Sequence, residues 1–300
     1  MHLLIIGGSD AGIEAGLGTR SVNGEAEVTL LVADRYPNYS VCGIPYYVSG
    51  AVPEAGDLAH RTGEDLKAAG LNLRLDERAL TVDPVEHVVT TTSGRRLGYD
   101  RLIIATGARP LRPPIRGLEL LGPDDGVHEL HSMDDALRLT RTLDRPQVRS
   151  ALIIGAGYIG LEMAEALVAR GLRVSVLERF EQVMARSLDA EPAEHVAAEI
   201  RRHGVELHCG VAVTSIERQG DGLAVSGDDG RPPGGGEGTG RPRWGGGTCI
   251  GAGCVTSSST WTTLIAVSPS GRPRSTRPRS RWARRAPAST ASSGCRIRTS

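Results

Sequence analysis

An α/β fold built on parallel sheets is what two features of this 300-residue sequence predict. Short apolar strands alternate with helical patterns through residues 1–230. A glycine loop of the form G-x-(G/S)-x-x-G occurs twice, about 150 residues apart, each time between a strand and a helix. Together they read as a duplicated nucleotide-binding unit, and the length suffices for two domains of ordinary size.

In chain order, strand-like LLIIG precedes a helical stretch over residues 11–20, and VTLLVAD follows as the second strand. RLIIATG is a later strand ending in a glycine turn. SALIIGAG, a helix over residues 159–170 and RVSVLE repeat the opening pattern. MHLLII, cut by Gly7 and Gly8 and lacking a basic flank, reads as a first strand and not as a signal peptide. No apolar run approaches the roughly 20 residues a membrane span needs. Five scattered cysteines make no disulfide framework, which places the chain in a reducing, cytoplasmic setting.

After Gly230 the texture changes. Residues 231–300 hold 12 arginines and a single acid, Glu237, leaving 23 basic against 34 acidic groups before them. Arg, Pro, Gly, Ser, Thr and Ala without periodicity cannot bury enough apolar surface to order a chain. This segment is read as non-native, the product of a reading-frame error, against the alternative of a native disordered basic tail. It carries no recognised nucleic-acid module, so nucleic acid is not an expected partner.

The first loop, IIGGSDAG, sets Gly7 and Gly12 at the outer fingerprint positions, with Gly8, Ser9 and Ala11 between them. Gly7 permits the tight turn, Gly12 brings helix and strand close, and the helix N-terminus favours a pyrophosphate. Asp34, 22 residues beyond Gly12, is placed for ribose hydroxyls, with Arg35 beside it, though shifted slightly from the usual strand end. The second loop, IIGAGYIGLE, is complete, with Gly155, Gly157 and Gly160 around Tyr158 and Ile159. Glu178 ends its strand 18 residues later, the right type and distance for a 2′-hydroxyl. That carboxylate argues for NADH, while Arg179 and Arg186 offer room for the 2′-phosphate of NADPH. Two dinucleotide sites on one chain imply two redox cofactors exchanging electrons, a flavin and a nicotinamide.

Between the loops, YSVCGIPYY holds one thiol, Cys42, with no second cysteine near it in the chain. Pro45 places it at or just before a helix start, a position that favours thiolate. These features together resemble the FAD-dependent pyridine nucleotide–disulfide oxidoreductases, within them the single-cysteine branch of coenzyme A-disulfide reductases, NADH oxidases and persulfide reductases. The resemblance rests on GGSDAG, YSVCGIPYYVSG, RLIIATGARP and IIGAGYIGLEMAEAL followed by VSVLE, in the family's order over residues 1 to about 230.

It implies an FAD-binding domain over residues 1–112 and an NAD(P)-binding domain over residues 113–230. It implies hydride transfer from NADH or NADPH to FAD, and reduction of a small-molecule disulfide or other oxidised sulfur, such as coenzyme A disulfide, at catalytic Cys42. The partner sulfur then comes from the substrate. Oxidase or peroxidase activity through a Cys42 sulfenate, or an inactive fragment, is the alternative. Ala105, Thr106 and Gly107 are implied near the flavin, Tyr158 over the nicotinamide pocket, and Asn38 where the family often has a serine near substrate.

Two of the family's parts have no recognisable counterpart: the Ala-x-Gly-Asp strand that returns to the flavin domain, and the C-terminal interface domain that forms the homodimer. Cys249 and Cys254, in a C-x4-C arrangement, look like a redox pair but lie in the anomalous segment and are read as chance. His203, His208 and Cys209 lack further ligands, so no metal site is expected.

Overall fold

The computed structural model describes residues 1–228, 243–244, 250–254 and 261–268. The first sheet is parallel, with spatial order β3-β2-β1-β7, from β1 (His2–Ile6), β2 (Glu27–Leu31), β3 (Leu71–Arg74) and β7 (Arg101–Ile104). Ile5 stands opposite Leu30 on one side and Ile103 on the other. Both faces are covered, which is why these strands read as apolar runs and not as alternations. Leu3, Ile5, Val28 and Leu30 share a core with Ile13 of helix α1 (Asp10–Val22) and Leu66 of helix α3 (Gly63–Ala68). On the other face Leu4, Ile6 and Leu31 meet Val89. That residue belongs to an antiparallel meander of β4 (Ala79–Asp83), β5 (Val88–Thr91) and β6 (Arg96–Gly98).

The second sheet repeats the plan. Strands β9 (Ser150–Ile154), β10 (Arg173–Leu177) and β11 (Glu206–His208) are parallel, with Ile153 opposite Val176. Helix α5 (Tyr158–Ala169) follows β9 and α6 (Ala190–Arg202) follows β10. A second meander holds β12 (Ala212–Gln219), β13 (Gly222–Asp228) and β14 (Arg243–Trp244). Earlier in the chain come β8 (Val127–Leu130), a further strand of this sheet, and helix α4 (Met133–Leu143). The Ser132 hydroxyl accepts the Asp135 N–H at 3.2 Å, and the Asp135 carboxylate accepts the Ser132 N–H at 2.9 Å, a reciprocal cap that fixes where α4 begins.

The sequence reading assigns no element after Gly230, yet the structure describes three strands there. Besides β14 these are β15 (Ile250–Cys254) and β16 (Trp261–Ser268), which pair antiparallel. β16 also pairs with β8 and β9, and Ile265 is fully buried. Its LIAV run is a local apolar signal that the composition of residues 231–300 averages away. Cys249, and with it the reading of the Cys249 and Cys254 pair, lies outside the described residues. So does the native or frame-shifted character of most of that stretch. No helix among the described residues is long and apolar enough to cross a membrane.

Helix α2 (Ile44–Ser49) joins the two halves. It is preceded by a 3-10 turn over Val41–Gly43, and its Ile44 and Val48 belong to the same core as Met163, Ala164 and Leu167 of α5. The Arg170 guanidinium donates to the Val48 carbonyl at 2.9 Å, closing the contact from the far end of α5.

Candidate functional site

The glycine loops sit at the carboxyl ends of β1 and β9, and both are built alike. Gly7 N–H donates to the Leu31 carbonyl at 3.0 Å, and Gly155 N–H to the Leu177 carbonyl at 2.6 Å. Gly7 has φ +128°, and a β-carbon there would lie 2.1 Å from the Ala105 carbonyl oxygen. A β-carbon on Gly12 would lie 2.3 Å from the Gly7 carbonyl oxygen. Only glycine fits at either position, and the turn from strand into helix depends on both. The same contact brings Ala105 against the first loop, with exposed Thr106 and Gly107 following it.

The helix N-termini behind these loops carry no side-chain cap. Ser9 is the N-cap of α1, its hydroxyl accepting no first-turn N–H, and Gly157, without a side chain, is that of α5. Such N–H groups are free for an external anion, which is what the pyrophosphate of a dinucleotide supplies. The loops therefore fit two dinucleotides on their own geometry.

The acids at the two strand ends differ. Glu178 directly follows β10 and is buried; its Oε2 accepts the Ala156 N–H at 2.7 Å and its Oε1 the Phe180 N–H at 2.9 Å. The matching seat after β2 belongs to Val32, whose methyl carbons lie 2.7 Å from where a Gly8 β-carbon would stand. Asp34 lies two residues further on. Its Oδ1 accepts the Tyr36 N–H at 2.9 Å, and burial raises its carboxyl above the usual range. Arg35 is exposed, with Nε 3.8 Å from Asp76.

Cys42 is exposed, in the 3-10 turn just before α2 as its sequence position implies. Ser40 steadies that turn, its hydroxyl accepting the Gly43 N–H at 3.1 Å. Tyr39 nearby is pushed up to about 12 by burial first and then by the charge of Asp34. Asn38 is not open to a substrate. It is 0 % exposed at φ +55°, and its amide donates to Asp10 at 2.9 Å while Arg61 donates to its oxygen at 3.3 Å. His60 meets Asp10 at 3.3 Å, and Arg61 donates to Glu14 at 2.8 Å. This network, unread from sequence, braces the thiol segment onto the first turns of α1. Its bonds join residues 23 to 50 apart in the chain, so no local pattern announces them.

Tyr158 opens α5 and is 50 % exposed beside the second loop. Ile159 is half-buried and Gly160 buried behind it. His203 and Cys209 do not converge on a common centre: the His203 Nε2 lies 3.0 Å from Glu199, and Cys209 is half-buried with its thiol pushed up by burial. No group of three or more metal-ligating side chains occurs among the described residues.

The pyridine nucleotide-disulphide oxidoreductase model matches residues 1–233. The chain belongs to that family. The family's cofactor is FAD, alongside a pyridine nucleotide. Among its members, the NADH oxidase of Methanocaldococcus jannaschii is 31% identical over 212 residues, 69% of this chain and 46% of that one. The CoA-dependent NAD(P)H sulfur oxidoreductase of Pyrococcus abyssi is 32% identical over 216 residues, 72% of this chain and 47% of that one. The solved NAD-dependent persulfide reductase from A. fulgidus superposes with a TM-score of 0.71 at 34% identity, covering 76% of this chain and 42% of that one. This family chain thus spans about half the length of the curated relatives it matches.

Proposed function

We propose that this chain takes FAD at the first loop and NAD(P)H at the second, and reduces an oxidised small-molecule sulfur through Cys42. The observation that carries the reading is the seat of Cys42. The thiol is exposed at the start of a helix that packs on α5, the helix following the second loop, while its own segment is braced to α1, behind the first. The thiol therefore stands on elements belonging to both cofactor loops. Gly7, Gly8, Ser9, Ala11 and Gly12 with Ala105, Thr106 and Gly107 would cradle the FAD pyrophosphate and flavin ends, and Asp34 and Arg35 the adenosine end. Gly155, Gly157, Tyr158, Ile159 and Gly160 with Glu178 and Arg179 would hold the nicotinamide nucleotide.

FAD, when bound, accepts hydride from NAD(P)H and releases electrons to sulfur one pair at a time. The residues of the chain do the rest. The uncapped helix ends hold phosphate charge, and the 3-10 turn holds the Cys42 sulfur outward. Cys42 is a free, exposed thiol; as thiolate it would attack a substrate disulfide, joining one substrate sulfur while the other leaves as a thiolate. Relatives named as CoA-dependent sulfur oxidoreductases and a neighbour named as a persulfide reductase support a sulfur substrate. Those named as NADH oxidases support oxygen as the competing acceptor.

The test is Cys42→Ser in the purified chain, first assayed for bound flavin and its bleaching by NADPH and NADH, then for turnover of coenzyme A disulfide. Bleaching retained with disulfide turnover lost is the expected result, a fall of about 100-fold or more for loss of a nucleophile. Unchanged disulfide turnover would sink the thiol mechanism, and absence of flavin from both proteins would sink the flavin reading.

A further inference from the structure

The segment after β10 determines which nicotinamide nucleotide the second loop takes, granted the reading that this loop holds one. Glu178 is the residue whose charge ordinarily favours the unphosphorylated ribose. Here it is 7% exposed, and each of its carboxylate oxygens already accepts a backbone N–H, from Ala156 and from Phe180. Six residues on, the Met184 N–H donates to the Ala156 carbonyl at 2.9 Å. Ala156, in the middle of the glycine loop, is thus gripped at both its N–H and its carbonyl by residues 178–184. Glu178 is one end of that grip, and its carboxylate turns toward the loop backbone.

What the segment presents outward is positive. Arg179 and Arg186 are both exposed, with guanidinium carbons 4.8 Å and 5.9 Å from the centre of the Phe180 ring. Neither forms an ion pair among the described residues. Two cations gathered on one ring repel each other, and the arrangement gains most from an anion shared between them. Glu181 does not fill that role. Its carboxylate oxygens lie 2.9 Å and 3.0 Å from the β-carbon position of Gly210, on the turn after β11. A planar guanidinium fork matches phosphate oxygens in charge and shape, and two forks outweigh one carboxylate buried against the loop backbone.

We propose that Arg179 and Arg186 select the 2′-phosphorylated nucleotide, NADPH over NADH, with Phe180 as the platform that holds both guanidiniums. The sequence alone leaves NADH and NADPH open, setting Glu178 against Arg179 and Arg186, and cannot show that the Glu178 carboxylate is buried against the loop backbone.

Calorimetric titration of the full chain with 2′,5′-ADP and with 5′-AMP tests this without flavin or turnover. The two probes differ only in the 2′-phosphate. The expected result is 2′,5′-ADP binding about tenfold or more tightly, a gap that narrows with added salt and closes in the Arg179→Ala, Arg186→Ala double variant. Equal or tighter binding of 5′-AMP overturns the selection and leaves the nucleotide site standing. A gap that survives in the double variant overturns the assignment to these two arginines. Binding of neither probe overturns both the selection and the reading of the second loop as a nucleotide site.

Discussion

Gly7 shows how much a single position constrains this site. Its φ of +128° is open to glycine alone, and a methyl group there would enter the Ala105 carbonyl at 2.1 Å. Gly7→Ala should therefore lower stability by about 2 kcal/mol or more and abolish flavin retention together, because the strand end and the loop are displaced at once. Thermal unfolding and flavin release on the same sample check it; a fully folded variant that keeps its flavin would show the contact to be dispensable. Glycine positions of this kind are legible in sequence, since the fingerprint is a list of places where a side chain has no room. Asn38 and Val32 are not. The resemblance places Asn38 near substrate, whereas its amide bonds Asp10 and Arg61, residues brought to it by the fold. Asp34 reads as the first-unit counterpart of Glu178 by counting from Gly12. The strand, however, ends at Leu31, and the seat falls to Val32.

Among the elements, the strands and helices flanking the two glycine loops were readable because each carries its own period and its own stop signal. Helix α4 was not assigned from sequence, although Ser132 and Asp135, three residues apart, mark its start. Replacing the cap by Ser132→Ala should cost about 1 kcal/mol, read as a lowered urea midpoint with an unchanged slope. A midpoint within error of the parent would mean that packing of Ala136, Leu139 and Leu143 alone holds the helix. The strand Trp261–Ser268 was not readable, because its pairing with β8 and β9 joins segments more than a hundred residues apart. An apolar run of that length also carries no sign of its sheet.

For the molecule as a whole, one buried imidazole contributes an acid sensitivity. His128 on β8 is 1% exposed, its Nε2 finds no partner among the described residues, and burial holds its pKa down at about 4 from an ordinary 6.5. With the folded value depressed, the unfolded chain binds a proton that the folded chain refuses. Stability is thus fully present above about pH 6.5 and declines as pH falls toward 4, by up to about 3 kcal/mol from this group. Denaturant midpoints measured at pH 7 and pH 4.5 in the parent and in His128→Gln check it. An equal loss in both proteins would assign the acid sensitivity elsewhere. A last consequence follows from the packing of α2. By chain order Ile44 and Val48 belong with the first sheet, yet their apolar surface is covered by α5 of the second. A division of the chain after residue 112 would bare both side chains, each worth roughly 2 kcal/mol of burial. The thiol would be left on an unsupported turn. The line along which the polypeptide can be severed is not the line along which it is folded.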